Sequence, residues 1–268
     1  MTPTRTSNRP TLLRKLHSRV LLGLGVKQRA AGITDEAHRI QMRLLPNETP
    51  QLTGYQIACA WQPSQDASAD YFDVFSFGAD KLGLCIADVS GKGTPAALLM
   101  SSLQASLKTF AGPHVPPSAL CSQLNAVLSD NIAPGRYASL FYGLLDGNAR
   151  TLSYESAGHC LPLLVRADGS IQILEASSGV LGLFSHWTYN DQQLALASGD
   201  VLVMMTDGLL EATNAQGAEF GYKRLIAAVL PKRAEGAHSI RQRVMEEVTQ
   251  FCGGEFADDA SLIVLTVD

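Results

Sequence analysis

The stretch Gly83–Met100, GLCIADVSGKGTPAALLM, decides how the chain is read. An apolar run ends in one acid, Asp88. A loop bearing Gly91 and Gly93 follows, then a run rich in Ala, Leu and Met. The pattern predicts a strand, a tight turn and a buried helix, with Thr94 as N-cap and Pro95 at the first helical position. A nucleotide cradle of the form GxxxxGK[ST] is excluded. Lys92 is followed by Gly93, and the position five before Gly91 is Ile86. A metal-bearing turn and an ordinary strand-to-helix connection both stay open on this stretch alone.

Outward from it the texture alternates in blocks. Upstream, Tyr55–Trp61 and Tyr71–Phe77 read as strands, and Gly78–Asp80 makes a hairpin between the second of these and Lys81–Val89. Downstream, Pro95–Ala111 and Pro116–Asn131 read as helices, the latter with Leu120, Leu124 and Leu128 at four-residue spacing. Strands resume over 137–146, 151–158, 161–167, 171–176 and 200–207. Helices follow near 221–230 and 239–252, and the strand 260–268 comes last. Strands joined nose to tail without intervening helices imply antiparallel pairing. With helix pairs between the blocks, the expected class is α+β, built as sheets covered by helices.

The 268 residues, 46% hydrophobic and 17% charged, suit one large domain with a short extension. Seven basic residues and no acid precede Asp35, so the rest carries −11 against −4 for the whole chain. A body that acidic excludes a phosphate-backbone binder and suits a cation site. Five scattered cysteines with no CxxC argue against disulfides or zinc and for a reducing, cytoplasmic setting. Residues 1–33 read as a basic, partly helical extension with Leu12, Leu13, Leu16, Val20 and Leu24 on one face; a docking helix is expected, with membrane-surface or partner binding as the other reading. The apolar centre Val20–Val26 is at the lower limit for a signal peptide and lacks a clean cleavage site. Asp35–Pro46 predicts a helix ended by Pro46.

The recurring chemical feature is an aspartate at a strand end. Asp70 precedes one strand, Asp88 and Asp207 end two others, and Asp258 and Asp259 precede the last. Carboxylates gathered at one sheet edge repel one another unless protons or cations neutralise them. Hard divalent cations take such oxygen ligands, and a pair of them can prepare water for attack on phosphorus. Asp146, Asp168 and Asp200 read instead as turn residues, and His159 as a satisfied structural histidine. Thr206–Gly208, TDG, has the letters of an aspartic-protease loop in the wrong order and no second copy.

Taken together, ADYFDVF, IADVSGKGTPAALLM, SLFYGLLD, YESAGHCLPLLV, GDVLVMMTDGLLEATNAQGAEFG and DDASLIVL resemble, in order and spacing, the SpoIIE-like phosphatases, the bacterial branch of the PPM metal-dependent serine/threonine phosphatases. The resemblance runs from about Ile40 to the C-terminus and places a phosphatase domain at 34–268. It implies an αββα sandwich, two antiparallel sheets flanked by helices, with two Mn²⁺ or Mg²⁺ ions at one end. By motif match Asp70 would bind one ion, Asp88 would bridge both, the Val89 carbonyl would complete a shell, and Asp207 and Asp258 would hold the other ion. Asp88 and Asp207 would be the catalytic acids, and the nucleophile a metal-bridged water. The implied substrate is a phosphoserine or phosphothreonine on an anti-anti-sigma (STAS-domain) protein, with the N-terminal helices as a homodimer or regulator contact. Where the family usually has two glycines before the first acid, this chain has Ser68 and Ala69. A rearranged turn is expected there, and it motivates a competing reading as a phosphatase-shaped binding module without turnover.

Overall fold

The computed structural model describes residues 39–46, 48–64, 68–133, 135–175 and 178–268. The extension 1–33 and the first residues of the helix expected at 35–46 lie outside these; Arg39–Met42 are helical. Ten strands form two antiparallel five-stranded sheets. One sheet runs β2(Asp70–Ser76), β3(Lys81–Val89), β4(Ala138–Asp146), β5(Thr151–Ala157), β8(Gln192–Ala195). The other runs β1(Tyr55–Gln62), β10(Ala260–Val267), β9(Val201–Met205), β6(Leu163–Val165), β7(Ile171–Ile173). Helices α1(Thr94–Phe110) and α2(Pro117–Asn131) pack on the first sheet. Helix α4(Ala237–Phe251) packs on β1 and β10 of the second, beside α3(Gly221–Val229). The expected α+β sandwich with flanking helices is the observed fold.

The central strands are nearly unbroken apolar runs because both of their faces are covered. Every residue of β9 and β10 is buried. Their side chains still alternate. Leu202, Met204, Ile263 and Leu265 join the core between the sheets, while Val201, Val203, Leu262 and Val264 join a second core beneath α3 and α4. The short edge strand β7 is exposed throughout, and it limits edge-to-edge pairing by its length.

Three expectations need correction. Thr94 is not the cap of α1: it is the first helical residue, Gly93 takes the cap position at φ 71°, and no side chain caps the end. Glycine's freedom at positive φ decides this turn. Asp207 does not end a strand. β9 stops at Met205, and Asp207–Leu210 is one helical turn. Strand β8 was not anticipated, because Gln192 and Gln193 on an exposed edge carry no apolar alternation.

Leu84, fully buried at the centre of β3, sets a stability test. Leu84→Ala should cost about 2–5 kcal/mol, read as a lower urea midpoint at unchanged slope. Ile173→Ala on the exposed β7 should stay within about 0.5 kcal/mol.

Candidate active site

The acids converge at one end of the sandwich. Antiparallel register puts Asp70 of β2 opposite Asp88 of β3, and Asp88 opposite Ser139 of β4. On the facing sheet, β9 delivers Thr206 and the helical turn beginning at Asp207, while Asp258 and Asp259 lead into β10. The turn at Asp207 needs Gly208, since a Cβ there would lie 2.0 Å from the Asp259 carbonyl oxygen. That close approach brings Asp207 beside the Asp258–Asp259 turn.

The buried acids divide by partner. Asp70 is buried, and its Oδ2 accepts hydrogen bonds from Thr206 Oγ1 at 2.8 Å and Ser261 Oγ at 2.6 Å. Burial, and then the charge of Asp88, push its carboxyl well above the usual range, partly offset by the two hydroxyls. Asp259 is also buried and is engaged on both oxygens: Oδ1 accepts from Ser64 N at 2.7 Å and Ser64 Oγ at 2.9 Å, and Oδ2 from Ala69 N at 2.8 Å. Asp258 is half-exposed and pairs with Lys92 Nζ at 2.8 Å. Asp88 is raised to about 7 by burial and by the charges of Asp207, Asp258 and Asp259. Asp207 is raised by burial and by Asp258.

Ser68 and Ala69 do not break the turn before Asp70. Arg150 is the one non-glycine at positive φ among the described residues, so Ala69 needs no glycine conformation. Ser68 is buried and well bonded: its Oγ accepts from Asp70 N at 3.1 Å and Trp61 Nε1 at 3.2 Å, and its N donates to Gln41 Oε1 at 2.8 Å. Ala69 takes no positive φ, and its N–H secures Asp259.

The remaining acids lie elsewhere, with ordinary partners. Asp200 accepts from Arg166 and from Ala197 N, and Asp146 and Asp168 close hairpin turns. His159 is buried, with Nδ1 2.7 Å from Ser139 Oγ, and burial lowers its pKa to about 4. The sequence reading missed Thr206, Ser261 and Ser64, the hydroxyls that hold Asp70 and Asp259. The signal for Thr206 and Ser261 was a polar residue at the end of an otherwise apolar run, whereas Ser64, in the loop after β1, carried none.

Asp88, Asp207 and Asp258 bring excess negative charge to this end of the sandwich, with the Lys92 ammonium beside Asp258. That chemistry fits a hard divalent cation. No three His, Cys, Asp or Glu among the described residues already stand as a closed coordinating group.

A family model for stage II sporulation protein E matches residues 78–268. The chain belongs to the SpoIIE family. The match contains Asp88, Val89, Asp207 and Asp258 and begins after Asp70. Phosphoserine phosphatase RsbU of Bacillus subtilis is 26% identical to this family member over 242 residues, 90% of the chain and 72% of RsbU. Protein IcfG of Synechocystis sp. is 25% identical over 261 residues, covering 86% of the chain and 41% of IcfG. The chain therefore spans less than half the length of that relative. The SiaA-PP2C domain of Pseudomonas aeruginosa superposes at TM-score 0.78 and 18% identity, over 91% of this chain and 99% of that one. The PP2C-type sandwich of this SpoIIE-family chain is thereby established.

Two outcomes follow from this geometry. Gly208→Ala forces the backbone at Asp259 to shift and should cost about 1–3 kcal/mol in chemical denaturation. For His159 the folded pKa is depressed below the unfolded 6.5, so the unfolded chain binds the extra proton. Its contribution is therefore present above pH 6.5 and lost as pH falls towards 4. Relative to His159→Gln, the wild type should lose stability across that window, by at most about 3 kcal/mol.

Proposed function

We propose that this chain is a divalent-metal-dependent protein phosphatase that hydrolyses phosphoserine or phosphothreonine on a regulatory protein. The observation that carries the reading is the trio Asp88, Asp207 and Asp258, brought from three separate segments to one end of the sandwich, where burial and neighbouring charge destabilise Asp88 and Asp207 as anions. Two solved proteins of the same fold support the metal: the catalytic domain of the phosphatase PstP in complex with 2 manganese ions, at TM-score 0.58, and RsbX in complex with magnesium, at TM-score 0.64. In this chain Asp70, Asp88 and the Val89 carbonyl would hold one cation and Asp207 and Asp258 the other, either Mn²⁺ or Mg²⁺. A cation bound there supplies Lewis acidity, polarising a phosphoryl oxygen and lowering the pKa of water.

The chain's own residues supply position. Thr206 and Ser261 orient the Asp70 carboxylate. Arg136 Nη1 donates to the Ser90 carbonyl at 2.6 Å and fixes the loop after Asp88. A groove of about 360 Å³ opens from Ser90 and Arg136 along Pro95, Leu98, Leu99 and Ile132. With Leu98 68% exposed at its rim, the groove suits a protein surface carrying the phosphoryl group. The substrate is read as a phosphorylated STAS-domain protein. RsbU is named a phosphoserine phosphatase, and a Mycobacterium tuberculosis protein of this fold, at TM-score 0.70, combines RsbU and RsbW domains. Among the described residues no helix is long and apolar enough to cross a membrane, and the setting is read as cytoplasmic. The competing reading, a binding module without turnover, rests on Ser68 and Ala69 in place of two glycines, and divalent-metal binding by the wild type separates the two readings.

Turnover of a phosphoserine peptide should require Mn²⁺ and be abolished by EDTA. Asp88→Asn should lower kcat/KM by about two to three orders of magnitude; metal-independent turnover, or an active Asp88→Asn, overturns the mechanism. In metal-free protein the folded pKa of Asp88 is raised, so its penalty appears as pH rises from about 4 through 7. Asp88→Asn should therefore melt higher than the wild type at pH 8 in EDTA, and the gap should close at pH 4.

A further inference from the structure

Among the described residues, a positive group touches the acid cluster, and it is part of the loop that follows Asp88. Lys92 Nζ lies 2.8 Å from Asp258 Oδ2 and donates to the Ala257 carbonyl at 2.8 Å. It reaches from the first sheet to the turn that leads into β10 on the second. Its neighbours Gly91 and Gly93 hold φ of 102° and 71°, so the ammonium is presented by a backbone bent for the purpose. Lys92 and Asp258 are each about half exposed, at 47% and 49%. A pair so open to water contributes little to stability by itself. Its place matters more: it neutralises one of the four carboxylates read above as cation ligands.

We propose that Lys92 is a built-in counter-ion that occupies Asp258 and latches the Ser90–Gly93 loop to the Ala257–Asp258 turn until a divalent cation displaces it. The inference rests on the reading of Asp258 as a cation ligand. An ammonium and a divalent cation compete for the same carboxylate, so the latch lowers cation affinity and keeps the cation-free acids from repelling freely. The same loop carries Ser90, which lines the groove. Release of the latch therefore links cation occupancy to the surface that would meet the substrate.

Titration calorimetry with Mn²⁺ alone on the full chain tests this. Lys92→Gln should bind Mn²⁺ about three- to tenfold more tightly than wild type, the size expected when a neighbouring charge and an exposed pair are removed. Its metal-free melting temperature should fall, and its Mn²⁺-induced rise should be larger. Lys92→Arg, which keeps the charge, should bind within about twofold of wild type. In an Asp258→Asn background, Lys92→Gln should no longer change Mn²⁺ affinity. Lys81→Gln, which breaks a remote pair with Asp146, should leave it unchanged. Wild-type binding with equal or weaker binding by Lys92→Gln overturns the latch alone. Absence of Mn²⁺ binding by the wild type overturns both the latch and the metal reading beneath it.

Discussion

The two sheets are joined at the reactive end by buried carboxylates, Asp70 first among them. Asp70 belongs to β2, yet its Oδ2 accepts hydroxyl hydrogen bonds from Thr206 after β9 and Ser261 within β10, on the opposite sheet. A buried anion without partners would be prohibitively costly. Here the cost is met by donors that only the assembled sandwich supplies. Asp259 repeats the device in reverse, reaching from the β10 side to Ser64 and Ala69 on the approach to β2. These two crossed links fix the spacing of the sheets where the remaining acids emerge.

Once Asp70 and Asp259 are committed to these links, the other carboxylates have little to neutralise them. Asp88 and Asp207 are pushed upward by burial and by neighbouring charge. The site is thus electrostatically strained, and the strain reaches Asp70, whose carboxyl is pushed upward by burial and by Asp88 despite its two hydroxyl donors. Such strain is characteristic of functional sites, where stability is given up locally for chemistry. The frame tolerates it because the two apolar cores, one between the sheets and one beneath α3 and α4, lie below the reactive end.

Much of this was legible in the chain. The apolar runs Lys81–Val89 and Ala260–Val267 announced central strands, and the loop glycines announced the turn after Asp88. Each acid stood out because it ended or preceded such a run. What could not be read was partnership. Asp258 and Asp259 are adjacent and identical in type, yet one faces Lys92 and the other is locked by three donors from residues 190 and 195 positions away. Gly93 rather than Thr94 capping α1 is similar, since a local hydroxyl preference yielded to the path the loop must follow. The edge strand Gln192–Ala195 was invisible because its pairing with β5, rather than its own pattern, makes it a strand.

The position of β10 has a consequence for folding. It follows β1 and β9 in sequence but lies between them in its sheet. Without β10, β1 and β9 have no strand between them, Asp70 lacks Ser261, and Asp258 is not in place. The sandwich is closed through contacts that span about 200 residues. Such distant pairing is slow to form.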